Sequence, residues 1–207
     1  MATLFDQNGF YALAPGKLGV LTIYFEQQAP FPEADFSWPE ALHVEKLGPS
    51  DCTRYRALFK AVGGPWLWVS RLKSPDAELF EILSHPKIDA FALTNGQEDM
   101  GFLELDHREQ DEPGSEIRYF GLVPRAMHRG LGARLMAYAF REARRKNVTR
   151  LWLHSCHIDA PGSAGFYQAQ GFRPTRSAIE ILDDPRISGH LPKHFAPHVP
   201  FIETHET

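Results

Sequence analysis

The sequence has few cysteines and no long hydrophobic run. Among its 207 residues only Cys52 and Cys156 are cysteines, which argues against a disulfide framework and favours a reducing, cytoplasmic setting. Residues 1–17 lack the basic segment and apolar run of a secretory signal peptide. No stretch approaches the roughly 20 apolar residues of a membrane-spanning helix. We therefore expect a soluble intracellular protein without a membrane partner.

An excess of basic residues is also missing. The sequence has 22 Lys and Arg against 26 Asp and Glu, a formal net charge of −4 at pH 7. Nucleic-acid binding requires a dense basic surface that neutralises phosphates, so we expect no nucleic-acid partner. The hydrophobic share of 43% is sufficient for a sizeable core. Because neither repeats nor a boundary are visible, residues 1–207 are interpreted as a single domain.

The apolar patterns predict an α/β fold. Strands are expected at Lys17–Glu26, Leu42–Leu47, Ile88–Thr94, Gly101–Leu105, Glu116–Val123, Arg150–Ser155 and Pro174–Leu182. Helices are expected from Asp51 to Gly63, Pro75 to Ser84, Leu131 to Asn147 and Pro161 to Gln170, with Ser74 capping the second and Asp159 or Ala160 capping the last. A charged connection at 106–115 and an irregular tail at 183–207 complete the prediction. An antiparallel meander followed by strand–helix–strand–helix–strand indicates a mixed, mostly antiparallel sheet flanked by helices.

The most informative stretch is Glu116–Gly132, EIRYFGLVPRAMHRGLG, in which a strand leads through a short loop into a helix. The first amides of a helix have no partner inside it, and the helix dipole is positive at that end. Gly130 and Gly132 allow an anion to approach the backbone closely, and Arg129 adds a positive charge. The loop therefore predicts a phosphate-binding site.

A pair of glycines alone is a weak signal, and a plain helix-capping loop is the commoner interpretation. A P-loop is excluded because no Gly-Lys-Ser/Thr is present. The dinucleotide fingerprint fails because its third glycine is replaced by Leu135. A nucleotide binder of another class remains an alternative.

Two segments resemble motifs of the GNAT superfamily of N-acetyltransferases. Met127-His128-Arg129-Gly130-Leu131-Gly132 resembles the pyrophosphate loop Gln/Arg-x-x-Gly-x-Gly/Ala, with Met127 departing from the first position. Downstream, Tyr167-Gln168-Ala169-Gln170-Gly171-Phe172 resembles the Tyr-x-x-x-Gly-Phe signature. The resemblance extends loosely from about Leu42 to Leu182. It implies the GNAT fold, with acetyl-CoA as co-substrate and no metal.

The resemblance also implies a role for each site residue. The strand before the loop is expected to separate from its neighbour and to pair with the pantetheine arm at Leu122 and Val123. Six amides would hold the pyrophosphate: those of His128, Arg129, Gly130, Leu131, Gly132 and Ala133. Tyr167 matches the tyrosine that donates a proton or a hydrogen bond to the coenzyme A sulfur. Glu116 is nominated as the base, with Glu104 as reserve.

The expected reaction is direct attack of a primary amine on the thioester in a ternary complex. A non-catalytic acyl-CoA-binding or sensing module is the alternative. The acceptor can be a small-molecule or peptide amine, and dimers in the family make a homodimer a further expectation. Many members have an asparagine where this sequence has Ala160, so Asp159 or His157 takes that place or the contact is absent.

Other residues allow more than one interpretation. Trp66 and Trp68 are expected to pack in the core or at its rim, and the alternative is that they line the acceptor pocket. Cys156 is interpreted as a small buried residue because the family chemistry needs no thiol. A metal site at His154, His157 and Asp159 is disfavoured, because structural zinc normally has four ligands.

Overall fold

The computed structural model describes residues 6–33, 37–39, 41–108 and 114–203. Within these ranges seven strands form one sheet. The strands are β1 Lys17–Gln28, β2 His43–Leu47, β3 Ile88–Thr94, β4 Asp99–Asp106, β5 Gly114–Leu122, β6 Arg150–Cys156 and β7 Arg173–Asp183. Their order in the sheet is β2-β3-β4-β5-β6-β1-β7, and only the β5–β6 pair is parallel. The predicted mixed, mostly antiparallel sheet is confirmed.

The helices flank this sheet. They are α1 Cys52–Gly63, α2 Ser70–Lys73, α3 Asp76–Ser84, α4 Leu131–Arg145 and α5 Ser163–Ala169, with short 3₁₀ turns at Pro49–Asp51, Gly64–Trp66 and Pro124–Ala126. One stripe of α4 is buried, at Leu131, Leu135, Ala139 and Ala143. No helix of the described ranges has the length and apolar character needed to cross a bilayer.

The predicted helix caps were wrong in two places. Ser74 closes α2, because its amide donates to the carbonyl of Ser70 at 3.2 Å, and α3 begins after Pro75 without a side-chain cap. The last helix, α5, begins at Ser163 rather than Pro161, with Gly162 at the N-cap position at φ = 86°. Asp159 does not cap it, because its carboxylate accepts the amide of Cys156 at 2.7 Å.

Some predicted boundaries also shift. β5 begins at Gly114, two residues before the predicted Glu116, because Gly114 and Ser115 pair with the start of β6. The rest of the predicted charged connection includes residues 109–113, which lie outside the described residues, as do 204–207 of the predicted tail.

The pairing of β5 with β6 is short. Only Gly114, Ser115 and Glu116 pair with β6, opposite Arg150, Leu151 and Trp152, although both strands continue beyond these residues. A register shift against β4 follows at once: Glu104 pairs with Tyr119 but Leu105 pairs with Ile117, leaving Arg118 as a bulge in β5. A bulge bends its strand, and here it lies where β5 leaves β6. The predicted separation of β5 from its neighbour is thus present in the structure.

The tail after β7 is held by a buried ion pair. Arg186 and Asp184 are each 3% exposed, and Arg186 Nη2 lies 2.7 Å from Asp184 Oδ2. The same guanidinium donates to the carbonyls of Ala196, Val199 and Pro200. The tail packs in a second apolar cluster that contains Leu67, Ile158 and Leu191. One arginine therefore fixes an irregular segment against the loop after α1.

We expect Arg186→Ala to lower the free energy of unfolding by about 3–5 kcal/mol, because Asp184 would be left buried without its partner. Urea denaturation measures this change. The control is Lys193→Ala, which removes the exposed pair with Glu203 and should cost under about 1 kcal/mol. Equal effects of the two substitutions would contradict the anchoring role of Arg186.

Candidate functional site

A cleft of about 600 Å³ opens where β5 and β6 separate. Its walls come from β5, β6, β1, β7, the loop after α1 and the start of α5. Residues that line it include Trp66, Trp68, Arg118, Leu122, Met127, His154, Cys156, Asp159, Tyr167 and Glu180. Met127 of the loop motif and Tyr167 of the second motif both line this cleft.

The edge of β5 supplies unpaired main-chain groups to this cleft. The Val123 amide donates to the carbonyl of Met100 on the β4 side at 3.0 Å, and its carbonyl accepts the amide of Ala126 at 2.9 Å. Peptide groups alternate in direction along a strand, so those of Leu122 point away from β4, toward the cleft. Of the two residues predicted to pair with a ligand's backbone, only Leu122 has free groups to do so.

Six consecutive amides are free at the start of α4. Among the described residues, no hydrogen bond is made by the main-chain N–H of His128, Arg129, Gly130, Leu131, Gly132 or Ala133. The chain turns here through two left-handed residues, His128 at φ = 58° and Gly130 at φ = 72°. The side chains of His128 and Arg129 are exposed. Unpaired amides at a helix N-terminus are the arrangement that suits an anion.

Tyr167 lies in the wall of the cleft on α5, packed against Phe25, Phe120 and Phe172. Burial raises the pKa of its hydroxyl above the usual value, and the charge of Asp159 acts in the same direction. No described residue makes a hydrogen bond to this hydroxyl. It is therefore a protonated donor without an internal acceptor, which suits a contact with a ligand.

Glu116 lies at the last paired position of β5 and is 7% exposed. Arg118 Nη1 donates to both carboxylate oxygens, at 3.0 and 3.2 Å. Burial raises the pKa of Glu116, although Arg118 acts in the opposite direction. Glu116 is near the cleft but is not among the residues that line it. It reaches the cleft through a neighbouring side chain.

That neighbour is His154 on β6, whose Nδ1 lies 3.7 Å from Glu116 Oε1. The imidazole lines the cleft and packs against Tyr24. Burial, with the charge of Arg118, lowers the pKa of His154, so the ring is neutral at pH 7. From the sequence, His154 was considered only as a metal ligand. Alternation along β6 would have placed it on one face with Cys156, away from the buried Leu151 and Leu153.

Glu104 lies elsewhere. It is completely buried, its carboxylate accepts a hydrogen bond from the Tyr55 hydroxyl, and its Oε1 lies 2.6 Å from Arg71 Nη2. These contacts join α1, α2 and β4 behind the cleft wall. The geometry assigns Glu104 to this internal pair rather than to the cleft.

Asp159 holds one rim of the cleft. Its Oδ1 accepts Trp68 Nε1 at 3.2 Å, and its Oδ2 accepts Ser155 Oγ at 3.0 Å. His157 is turned to β1, where its Nδ1 accepts the amide of Leu21 at 3.0 Å. Of the two residues suggested to replace the asparagine that many members have at position 160, Asp159 lines the cleft and His157 does not. Trp66 and Trp68 also line the cleft, which agrees with the alternative that they are pocket residues.

Cys156 also faces the cleft, but its thiol is not activated. Burial raises the pKa of Cys156 to about 12, with a further contribution from Asp159. A thiol with that pKa is protonated at neutral pH and is a poor nucleophile. Within the described ranges no group of three or more His, Cys, Asp or Glu residues is placed to hold a metal ion.

Solved structures with similar folds include three of interest. A functionally unknown conserved protein from Staphylococcus epidermidis is 14% identical with a TM-score of 0.58, over 82% of this chain and 63% of that one. A GCN5-related N-acetyltransferase from Kribbella flavida is 18% identical with a TM-score of 0.54, over 84% and 63%. An aminoglycoside acetyltransferase from an uncultured soil metagenomic sample, in complex with trehalose, is 16% identical with a TM-score of 0.54, over 62% and 86%. At these identities the likeness concerns the fold.

Sequence comparison is more specific. This chain spans less than two thirds of the Staphylococcus epidermidis protein, and no curated protein matches it. The model of the acetyltransferase (GNAT) family, however, matches residues 55–172, which include both the free amides before α4 and Tyr167. That match covers more than half of the sequence, and the chain belongs to the GNAT acetyltransferase family.

Proposed function

We propose that the chain transfers an acetyl group from acetyl-CoA to a primary amine, by direct attack in a ternary complex. GNAT acetyltransferases use acetyl-CoA and act on small-molecule or peptide substrates. The observation that carries the proposal is the row of six free amides at the start of α4, which directly follows Met127 in a cleft that Tyr167 also lines. The amides suit a pyrophosphate, and the cleft suits the thioester and the acceptor.

In this proposal the main-chain amides of residues 128–133 bind the pyrophosphate, and Arg129 adds a charge from the loop. The pantetheine arm pairs with β5 at Leu122, whose peptide groups face the gap. Val123 lines the path without donating, since both of its main-chain groups are already used. An unpaired strand edge is suited to the amides of an extended ligand, as in other additions to a sheet edge.

Tyr167 is proposed to protonate the departing coenzyme A sulfur, or to donate a hydrogen bond to it. A donor must hold its proton at the working pH, and the raised pKa of Tyr167 ensures this. The surrounding aromatic rings exclude water from the bond that breaks. Cys156 takes no part because its thiol stays protonated, which is consistent with direct transfer rather than an acyl-enzyme.

For the incoming amine we propose a base of two residues. His154 accepts the proton in the cleft, because it is neutral and accessible there. Glu116 then stabilises the imidazolium that forms, from 3.7 Å. A carboxylate that orients and stabilises a histidine is a common arrangement in enzymes. Glu116 thus keeps its nominated part in the proton transfer but acts through His154.

The first test concerns the amide row. We expect Gly130→Ala to weaken coenzyme A binding about tenfold, because an L-residue at φ = 72° is strained by about 1–2 kcal/mol and its relief would move the amides. Gly96→Ala imposes the same strain at φ = 84° in the β3–β4 turn and serves as control. Calorimetry should show reduced affinity only for the Gly130 variant. No coenzyme A binding by the wild-type protein would refute the site.

The second test concerns Tyr167. With a panel of amines and detection of the free thiol, we expect Tyr167→Phe to lower kcat at least tenfold, about 1.4 kcal/mol in barrier, with unchanged coenzyme A affinity. Tyr138→Phe is the matched control, since Tyr138 on α4 is equally buried but packs against Phe91 away from the cleft. Tight binding without turnover of any amine would favour the acyl-CoA-sensing alternative.

The third test concerns the base. Because burial lowers the pKa of His154, activity should be present at pH 7 and decline only at a pH below the usual histidine value of about 6.5. We expect His154→Gln to reduce kcat/KM at least tenfold at pH 7 and to remove this acidic limb. The control His190→Gln, at an exposed position of the tail, should change neither kcat/KM nor the pH profile. A His154 variant with the wild-type rate and pH profile would show that Glu116 acts without it.

A further inference from the structure

β7 is the end strand of the described sheet, and its outer edge is uncovered. Nine of its eleven residues are exposed, and no described segment pairs with its outer side. Natural proteins usually protect such edges from pairing with other chains. Here the protection is confined to one end, where Pro174 lacks an N–H and a bulge at Thr175 interrupts the register with β1. The remaining length of β7 is regular.

The peptide groups of that regular part point outward in a known order. The Asp184 amide donates to the carbonyl of Gly16 on the β1 side at 2.9 Å. By alternation, even-numbered residues of β7 bond to β1, and Ser177, Ile179, Ile181 and Asp183 direct their peptide groups away from it. Leu21 of β1, which lies opposite Ile179, accepts a hydrogen bond from the His157 amide on the β6 side. Its peptide groups therefore point away from β7, which agrees with this alternation. β7 therefore offers a row of free donors and acceptors.

The side chains of β7 are complementary to a reversed copy of themselves. In an antiparallel pair centred on Ala178, Ser177 faces Ile179 of the other copy and Arg176 faces its Glu180. Shifting the centre to residue 177 or 179 would place Arg176 opposite Ala178 or Leu182 instead. Only the register centred on Ala178 therefore forms two Arg–Glu contacts, and it also joins outward-pointing residues in hydrogen-bonded pairs.

We propose that two copies of the chain associate through β7, antiparallel about Ala178, to form one continuous sheet. This proposal rests on the sheet edge and is independent of the reaction. Arg176 now lies over the Tyr24 ring, with its Cζ 3.3 Å from the centroid, so it is already on the face that Glu180 shares. Oppositely charged side chains directly across an antiparallel pair stabilise it.

The other face of the same edge is apolar. Leu13, Leu21, Ile179 and Ile181 are 44–52% exposed, and Ile179 and Ile181 pair with Leu21 and Gly19 across β1 and β7. In the register centred on Ala178, Ile179 lies opposite Ser177 and diagonally next to Ile179 of the second copy, so the Ile179 side chains would lose contact with water. Charge pairs on one face and apolar contact on the other specify a second copy of this chain as the occupant.

The association would also reach the cleft. Glu180 lines the cleft and forms no ion pair with the described residues of its own chain, although its charge acts on His154 and Cys156. In the proposed dimer, Arg176 of the second copy lies beside it. Each cleft would then have one wall completed by the other copy.

The test is sedimentation equilibrium of the full chain at up to about 100 µM. We expect a dimer for the wild type, and a dimer dissociation constant at least tenfold higher for Arg176→Glu and for Glu180→Arg. Each single variant places like charges opposite each other at both contacts. The double variant Arg176→Glu with Glu180→Arg should restore the dimer, as should an equimolar mixture of the two single variants, because both contacts are then complementary.

Glu81→Arg, an exposed reversal on α3, is the control and should leave the dimer intact. A wild-type monomer at the highest concentration would overturn the proposal. So would a dimer that ignores both single reversals, one that is lost in the Glu81 variant as well, or one that neither the double variant nor the mixture restores. Recovery in the mixture also shows that the single variants are folded.

Discussion

The short pairing between β5 and β6 is the constraint on which the rest of the site depends. Two parallel neighbours are joined here for only three residue pairs, and the bulge at Arg118 lies where they separate. The gap leaves the edge of β5 without a partner strand and makes room for the cleft. Parallel strands also need a crossover helix, which is α4. The same turn that ends β5 therefore starts the helix whose first amides have no partner.

The interior of the cleft is built from elements far apart in sequence. Arg118 comes from β5, His154 from β6, Tyr167 from α5 and Trp68 from the loop after α1, and Glu116 of β5 lies behind His154. Asp159 ties Trp68 to the end of β6, and the buried Arg186 holds the tail against the apolar cluster that contains Leu67. Order at the rim thus depends on contacts that are not themselves near the reacting groups. Such support is what keeps catalytic groups in position.

Local sequence was sufficient to predict the strands and two parts of the candidate site, the loop before α4 and the helix that contains Tyr167. Periodicity located all seven strands of the described sheet, and the glycines before α4 with Tyr167 identified the loop and the closing helix. It failed where a competing contact decides: Ser74 caps the end of α2, and Asp159 accepts hydrogen bonds from Cys156 and Trp68 instead of capping α5. Nothing local shows that Glu104 meets Arg71 or that His154 meets Glu116. Both depend on neighbours more than 30 residues away.

The position of β1 has a consequence for biosynthesis. This strand lies between β6 and β7, and Thr22 contacts Cys156 across 134 residues of sequence. A chain emerging from the ribosome would display β1 early but could give it no native neighbour until most of the polypeptide had been made. Such non-local pairing slows folding, because the entropy of loop closure is lost before the stabilising contacts form. In nascent chains the apolar β1 would thus be exposed to non-native pairing, and chaperone binding during translation would be advantageous.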